Sequence, residues 1–185
     1  MPQKLIIGIC GHRNSGKDTV CKFLSPILVS WQPGYTFHVG DILAEKLADM
    51  TDGNKSFIQD NKDKIPHLRQ VLQYLGDLTK QLEGNDIFLK MAQIKYNEMP
   101  KGFLIIPSVR LKSEADWVKK HKGLIIRIFR PVTDEVAAED SHKTEQEINS
   151  IPFDFSILND ANLGRLEWYC KCLANDIIKY ANRTT

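Results

Sequence analysis

The sequence predicts a three-layer α/β fold: a five-stranded parallel sheet with helices on both faces and a mobile lid. Three observations predict it. Short, nearly continuous apolar runs rich in β-branched residues alternate with segments of helical period, and such runs mark strands buried on both faces of a parallel sheet. The 185 residues have the length of one domain. With 42% hydrophobic and 26% charged residues, the chain can bury a core without a disulfide or metal staple.

Lys4 to Cys10 (K-L-I-I-G-I-C) is the first strand. A helix follows, with Val20, Phe23, Leu24, Ile27 and Leu28 on one stripe, and Pro26 is expected to kink or end it early. After the Pro33-Gly34 turn signal, Tyr35 to Val39 reads as a second strand and Ile42 to Met50 as a helix. Thr51 to Lys64 is polar and charged, a surface loop or short helix. The stripe Leu68, Val71, Leu72, Leu75, Leu78, Leu82 spells a long amphipathic helix, and Asp86 to Asn97 another. Gly102 to Ile106 is a third strand, with Ser113 a candidate N-cap for the helix through Lys120. Leu124 to Phe129 is the fourth strand, Phe153 to Leu158 the fifth, and Leu163, Leu166, Cys170, Leu173 and Ile177 mark a closing helix. Between Arg130 and Ile151 the apolar period vanishes and charge becomes dense, so this stretch reads as a mobile excursion.

Charge sets the class of partner. Twenty-five Lys and Arg against 23 Asp and Glu leave a formal charge of +2, which points to no nucleic acid and no membrane, and confines any anion binding to a local site. No apolar run approaches the ~18 residues of a membrane span, and the opening residues do not read as a signal peptide, so a cytoplasmic protein is expected. The four cysteines, Cys10, Cys21, Cys170 and Cys172, lack metal-site spacing and are expected to be reduced thiols used mainly for packing.

The most specific signal is Gly11-His12-Arg13-Asn14-Ser15-Gly16-Lys17, a G-x-x-x-x-G-K phosphate loop between the first strand and the first helix. Its glycines let backbone amides approach a polyphosphate, the helix N-terminus adds a positive dipole, and Lys17 reaches the β and γ oxygens. Arg13, Asn14, Ser15, Gly16, Lys17, Asp18 and Thr19 are therefore the candidate ATP-binding residues. The position after the lysine, ordinarily Ser or Thr on Mg²⁺, is Asp18, which is the candidate metal ligand; Thr19 is left for phosphate or metal. Asn61-Lys62-Asp63-Lys64 has the wrong spacing for a guanine-reading motif, which excludes a regulatory GTPase.

Gly11-x-x-x-Ser15-Gly16-Lys17-Asp18-Thr19 resembles the phosphate loop of the deoxynucleoside monophosphate kinases of phages and bacteria, which have a P-loop fold. The resemblance recurs over almost the whole chain: in Phe37-His38-Val39-Gly40-Asp41, in Arg69-Gln70-Val71-Leu72-Gln73-Tyr74-Leu75-Gly76, in Val109-Arg110 with Glu114-Ala115, and in Arg127-x-x-Arg130 with Asp140 to Glu145. It departs at Ser108, where the family commonly has Asp, and at Ile42-Leu43-Ala44, where it has Pro-Leu-Lys. The resemblance implies one P-loop kinase domain: a core at 1–40 and 102–185, an acceptor-binding helical region at about 41–101 and a lid at about 130–151. It also implies ATP and Mg²⁺ as cofactors and a small-molecule nucleotide as substrate.

Phosphoryl transfer onto a phosphate brings two anions together and needs converging cations. Lys17, Arg110 and Arg130 are the candidate catalytic residues. Asp41, Arg69, Arg110, His142 and Glu145 are the candidate substrate-binding ones. Arg127 lies within a strand, and Arg130 is preferred to it for the transferring group. Two alternatives stay open: a kinase of the animal phosphomevalonate type, which shares Ser-Gly-Lys-Asp, and a nucleotide-binding module that Ser108 has disabled. The sequence does not set monomer against homodimer, nor the acceptor base.

Overall fold

The computed structural model describes residues 4–131 and 147–183. In chain order its elements are β1 (Lys4–Cys10), α1 (Lys17–Val29), β2 (Gly34–Thr36), α2 (Val39–Thr51), α3 (Lys55–Asn61), α4 (Leu68–Glu83), α5 (Ile87–Glu98), β3 (Gly102–Val109), α6 (Lys112–Lys120), β4 (Leu124–Phe129), β5 (Phe155–Leu158) and α7 (Leu163–Arg183). They form two compact units, Met1–Phe37 with Tyr96–Thr185, and His38–Lys95.

In the first unit the strands make one sheet in the order β2-β3-β1-β4-β5, every pair parallel. The expected α/β class and strand number are both present. The apolar strand runs dictate this arrangement, because a strand without a polar face must be covered twice. On one face Leu5, Ile7, Ile9, Ile126 and Ile128 pack against Leu24 and Leu28 of α1 and Cys170, Ala174 and Ile177 of α7. On the other, Ile6, Cys10 and Ile125 meet Ala115 and Val118 of α6, with Ile151. Each fully buried aliphatic side chain contributes about 1.5–3 kcal/mol through removal from water.

The second unit holds α2, α3, α4 and most of α5 around Leu43, Ala44, Ala48, Ile58, Leu72 and Phe88. Of the predicted α4 stripe, Leu72 is buried, while Val71, Leu78 and Leu82 are exposed. No helix of the described residues is long and apolar enough to cross a membrane.

Several boundaries differ from expectation. Pro26 neither kinks α1 to a stop nor breaks it: the helix runs on to Val29, since a proline so near the end forgoes one bond, to the Lys22 carbonyl. The second strand stops at Thr36, and Val39 already belongs to α2. The polar stretch 51–64 contains α3, whose first turn is capped by the Asn54 side chain accepting from the Phe57 amide at 3.0 Å. Ser113 is not an N-cap. The helix begins at Lys112 behind Leu111, which offers no capping oxygen, and Glu114 Oε2 instead accepts from the Arg110 and Leu111 amides at 2.8 and 3.1 Å.

Candidate active site

Cys10 ends β1 between β3 and β4, so the loop that follows hangs from a strand bonded on both sides. Two glycines make its path possible. Gly11 has φ +154°, and a Cβ there would come within 2.7 Å of the Ile128 carbonyl; Gly16 has φ +98°, and a Cβ would sit 2.5 Å from Asn159 Nδ2. Between them Asn14 takes the left-handed conformation at φ +61°, which asparagine tolerates better than most residues.

The loop's carbonyl oxygens are occupied from several directions. Lys17 Nζ, with Lys17 only 8% exposed, donates to Gly11 O at 2.9 Å and to His12 O at 2.6 Å. His12 O also accepts from the Ser15 amide at 3.2 Å. Arg130 Nη1 donates to Asn14 O, and Asn159 Nδ2 to Ser15 O, both at 2.9 Å. An anion approaching this loop therefore meets donors rather than bare carbonyl dipoles. Gly16 stands at the N-cap without a side chain, so the first-turn amides of α1, which have no intrahelical partner, have no side-chain cap. Ser15 Oγ is buried with no hydrogen-bond partner among the described residues. A chain of phosphates fits this donor set.

The fit to Mg²⁺ is of a different kind. Asp18, exposed in the first turn of α1, supplies a hard oxygen beside Lys17, and Thr19 is half-buried next to it. Among the described residues no three His, Cys, Asp or Glu side chains converge as a ready-made metal cage. This suits a magnesium ion that rides mainly on phosphate oxygens and water.

The structure thus brings Asn14, Ser15, Gly16, Lys17 and Arg130 into one bonded group. Arg13 and Asp18 are exposed in the same segment. Arg110 follows β3 at the sheet edge where β1 ends, since Cys10 pairs with Val109; its Nε donates to Ser108 Oγ at 3.1 Å. Asp41 and Arg69 belong to the helical unit. Asp41 neither ends a strand nor caps a helix: it lies in the first turn of α2 and accepts from Gln59 Nε2 at 2.6 Å. Arg69, near the start of α4, donates from Nε to Asp63 Oδ1 at 2.6 Å. His142 and Glu145, with most of the expected lid, lie outside the described residues.

Sequence reasoning missed Asn159, although Asn159-Asp160 directly after the last strand marks the rim where open α/β sheets bind ligands. Burial raises the Cys10 thiol above its ordinary range, against the opposing pull of Arg127 and Lys17, so beneath the loop it is a neutral packing group rather than a nucleophile.

Residues 34–170 match the deoxynucleotide monophosphate kinase family. The chain belongs to that family. It is therefore a phosphotransferase of the nucleotide kinase class. The matched span begins after the phosphate loop, so motif and family match are separate observations. A protein of Acanthamoeba polyphaga mimivirus, whose own name marks it as a provisional deoxynucleotide monophosphate kinase, is 26% identical over 178 residues, 86% of this chain and 90% of that one. Among solved structures the kinase is similar to shikimate kinase from Aquifex aeolicus (16% identity, 94% of this chain and 99% of that one, TM-score 0.41). It is also similar to dephospho-CoA kinase from Campylobacter jejuni (14%, 94% and 97%, TM-score 0.47). The sheet order given above, rather than these likenesses, carries the fold.

Proposed function

We propose that this kinase transfers the γ-phosphoryl group of ATP to a nucleoside monophosphate, and to a deoxynucleotide in particular, giving ADP and the diphosphate. An oxygen of the acceptor's phosphate bonds to the γ-phosphorus as the bond from that phosphorus to the β–γ bridging oxygen breaks, and ADP carries the electron pair away. No protein nucleophile is required, in keeping with the neutral Cys10 thiol.

Lys17 and the loop amides hold the donor's terminal phosphates. Arg130, within reach of the loop at Asn14 O, neutralises charge on the transferring group. Arg69 binds the acceptor's phosphate through its planar fork, and Arg110 supplies a cation to the transfer. His142 and Glu145 contact the nucleotide, and Asp41 its sugar or base. Magnesium, when bound, neutralises the β and γ oxygens, and Asp18 is the residue that would hold it.

The observation that carries this reading is the convergence of Lys17 and Arg130, far apart in sequence, on carbonyls of one loop. A coupled ADP-release assay across the ribo- and deoxynucleoside monophosphates, with phosphomevalonate alongside, tests it. Turnover of at least one monophosphate is expected. Turnover of phosphomevalonate alone would move the acceptor to another chemical class, and no turnover by folded protein would refute the proposal.

A further inference from the structure

Arg127 is a charged side chain in an expensive place. It stands in β4 opposite Cys10 of β1 and is 3% exposed. Among the described residues no carboxylate pairs with it. Its Nη1 donates to Ile148 O at 2.6 Å and its Nη2 to Asn149 Oδ1 at 2.8 Å; Nη2 also lies 3.3 Å from His12 Nε2, its Cζ lies 5.2 Å from the centre of the Phe129 ring, and Nε has no hydrogen-bond partner among the described residues. His12, itself 2% exposed, closes the group with Nε2 3.0 Å from Asn149 Oδ1.

A buried guanidinium that meets only neutral groups among the described residues costs folding free energy compared with an apolar side chain of similar volume. The return should then lie in what its partners do. His12 is the second residue of the phosphate loop, and its carbonyl receives both Lys17 Nζ and the Ser15 amide. Fixing the His12 ring fixes the peptide on which the catalytic lysine rests.

Resting on the proposed function, we infer that Arg127 is a positioning residue for the ATP-binding loop, acting through His12 on the seat of Lys17 and kept at the expense of stability. Sequence reasoning had set Arg127 against Arg130 as a candidate for the transferring phosphate; burial gives it this different task. Lysine cannot replace it, because a single ammonium does not present the planar fork that spans Ile148, Asn149 and His12.

The test compares Arg127→Met, Arg127→Lys, His12→Ala and the Arg127→Met/His12→Ala double variant by thermal melting without ligand and by calorimetric ATP affinity. Arg127→Met should melt no lower than wild type yet bind ATP at least ~10-fold more weakly, the scale of a misplaced catalytic group. Arg127→Lys should not restore affinity, and the double variant should bind no worse than the weaker single one. Arg127→Met that melts lower with ATP affinity intact would overturn the inference, as would full rescue by lysine or additive losses. If Arg127→Met does not fold, His12→Ala decides: unchanged ATP affinity there sinks the idea, and a ~10-fold loss upholds it. Because the readout is ATP binding, wild-type protein that binds ATP but phosphorylates no monophosphate would refute the proposed function and leave this test standing.

Discussion

The unit built on the sheet and the unit built only of helices bury their apolar residues to different depths. In the first, Ile6, Ile7, Ile9, Leu24, Ile125 and Ile126 are fully buried; in the second, Leu43 and Leu72 keep 9% exposure, and Met50, Tyr74 and Leu82 stand 72–76% exposed. Their cations differ likewise. Lys17 is enclosed by its own loop, whereas Arg69 is held by a half-exposed ion pair with Asp63. The contrast teaches that the phosphate loop is held by a saturated core, while the helical unit's candidate groups stand on a thin one with contacts that exchange easily for a ligand's.

The largest effect should come from thinning each core. Leu24→Ala is expected to cost about 4 kcal/mol and Leu72→Ala about 2 kcal/mol in denaturant unfolding, the spread that differing burial produces at fixed chemistry. Equal costs would erase the contrast. Next, Lys17→Ala should lower kcat at least ~10²-fold, the scale of losing one electrostatic stabiliser. A near-normal rate would remove Lys17 from the mechanism.

Arg69→Ala should raise the acceptor KM about 10-fold or more, as loss of a charge-assisted pair does, with ATP affinity kept. Equal loss of both would show that the two units do not divide the work as proposed.

The smallest effect is one of pH. Burial, with the nearby charge of Glu167, pushes the Cys170 thiol from 9.0 to about 11, and burial raises Cys10 and Cys21 in the same direction. The folded state favours the neutral thiol. Its contribution is therefore complete below about pH 9 and is lost as pH climbs towards about 11. Cys170→Ala should flatten this alkaline decline in melting temperature without abolishing it, and an unchanged slope would show that Cys170 does not contribute.

What was legible in the sequence follows from how far each signal travels along the chain. The phosphate loop is a local pattern, and the cores of β1, β3 and β4 were readable because an apolar run needs no partner to be recognised, whereas β2, without such a run, was placed by the Pro33-Gly34 turn signal. The α4 stripe spelled an amphipathic helix, but period alone does not reveal how much of the stripe is covered; Val71, Leu78 and Leu82 are exposed. The Arg127–His12–Asn149 group joins residues 115 and 22 positions apart. No periodicity encodes such a pairing, and neither does it encode the approach of Asn159 to Ser15. The start of α6 was misplaced by two residues because a serine is the usual cap, whereas here a glutamate from within the helix reaches back to the Arg110 and Leu111 amides.

The place of β1 in the sheet has one more consequence. With β3 and β4 along its two edges, its amides should exchange with deuterium only when the whole unit opens, while the three-residue β2 at the border should fray alone. Nucleotide bound at the end of β1, as proposed, would thus be linked to the part of the sheet expected to exchange most slowly. Its binding should delay exchange across the sheet as a block, rather than quieting one surface loop.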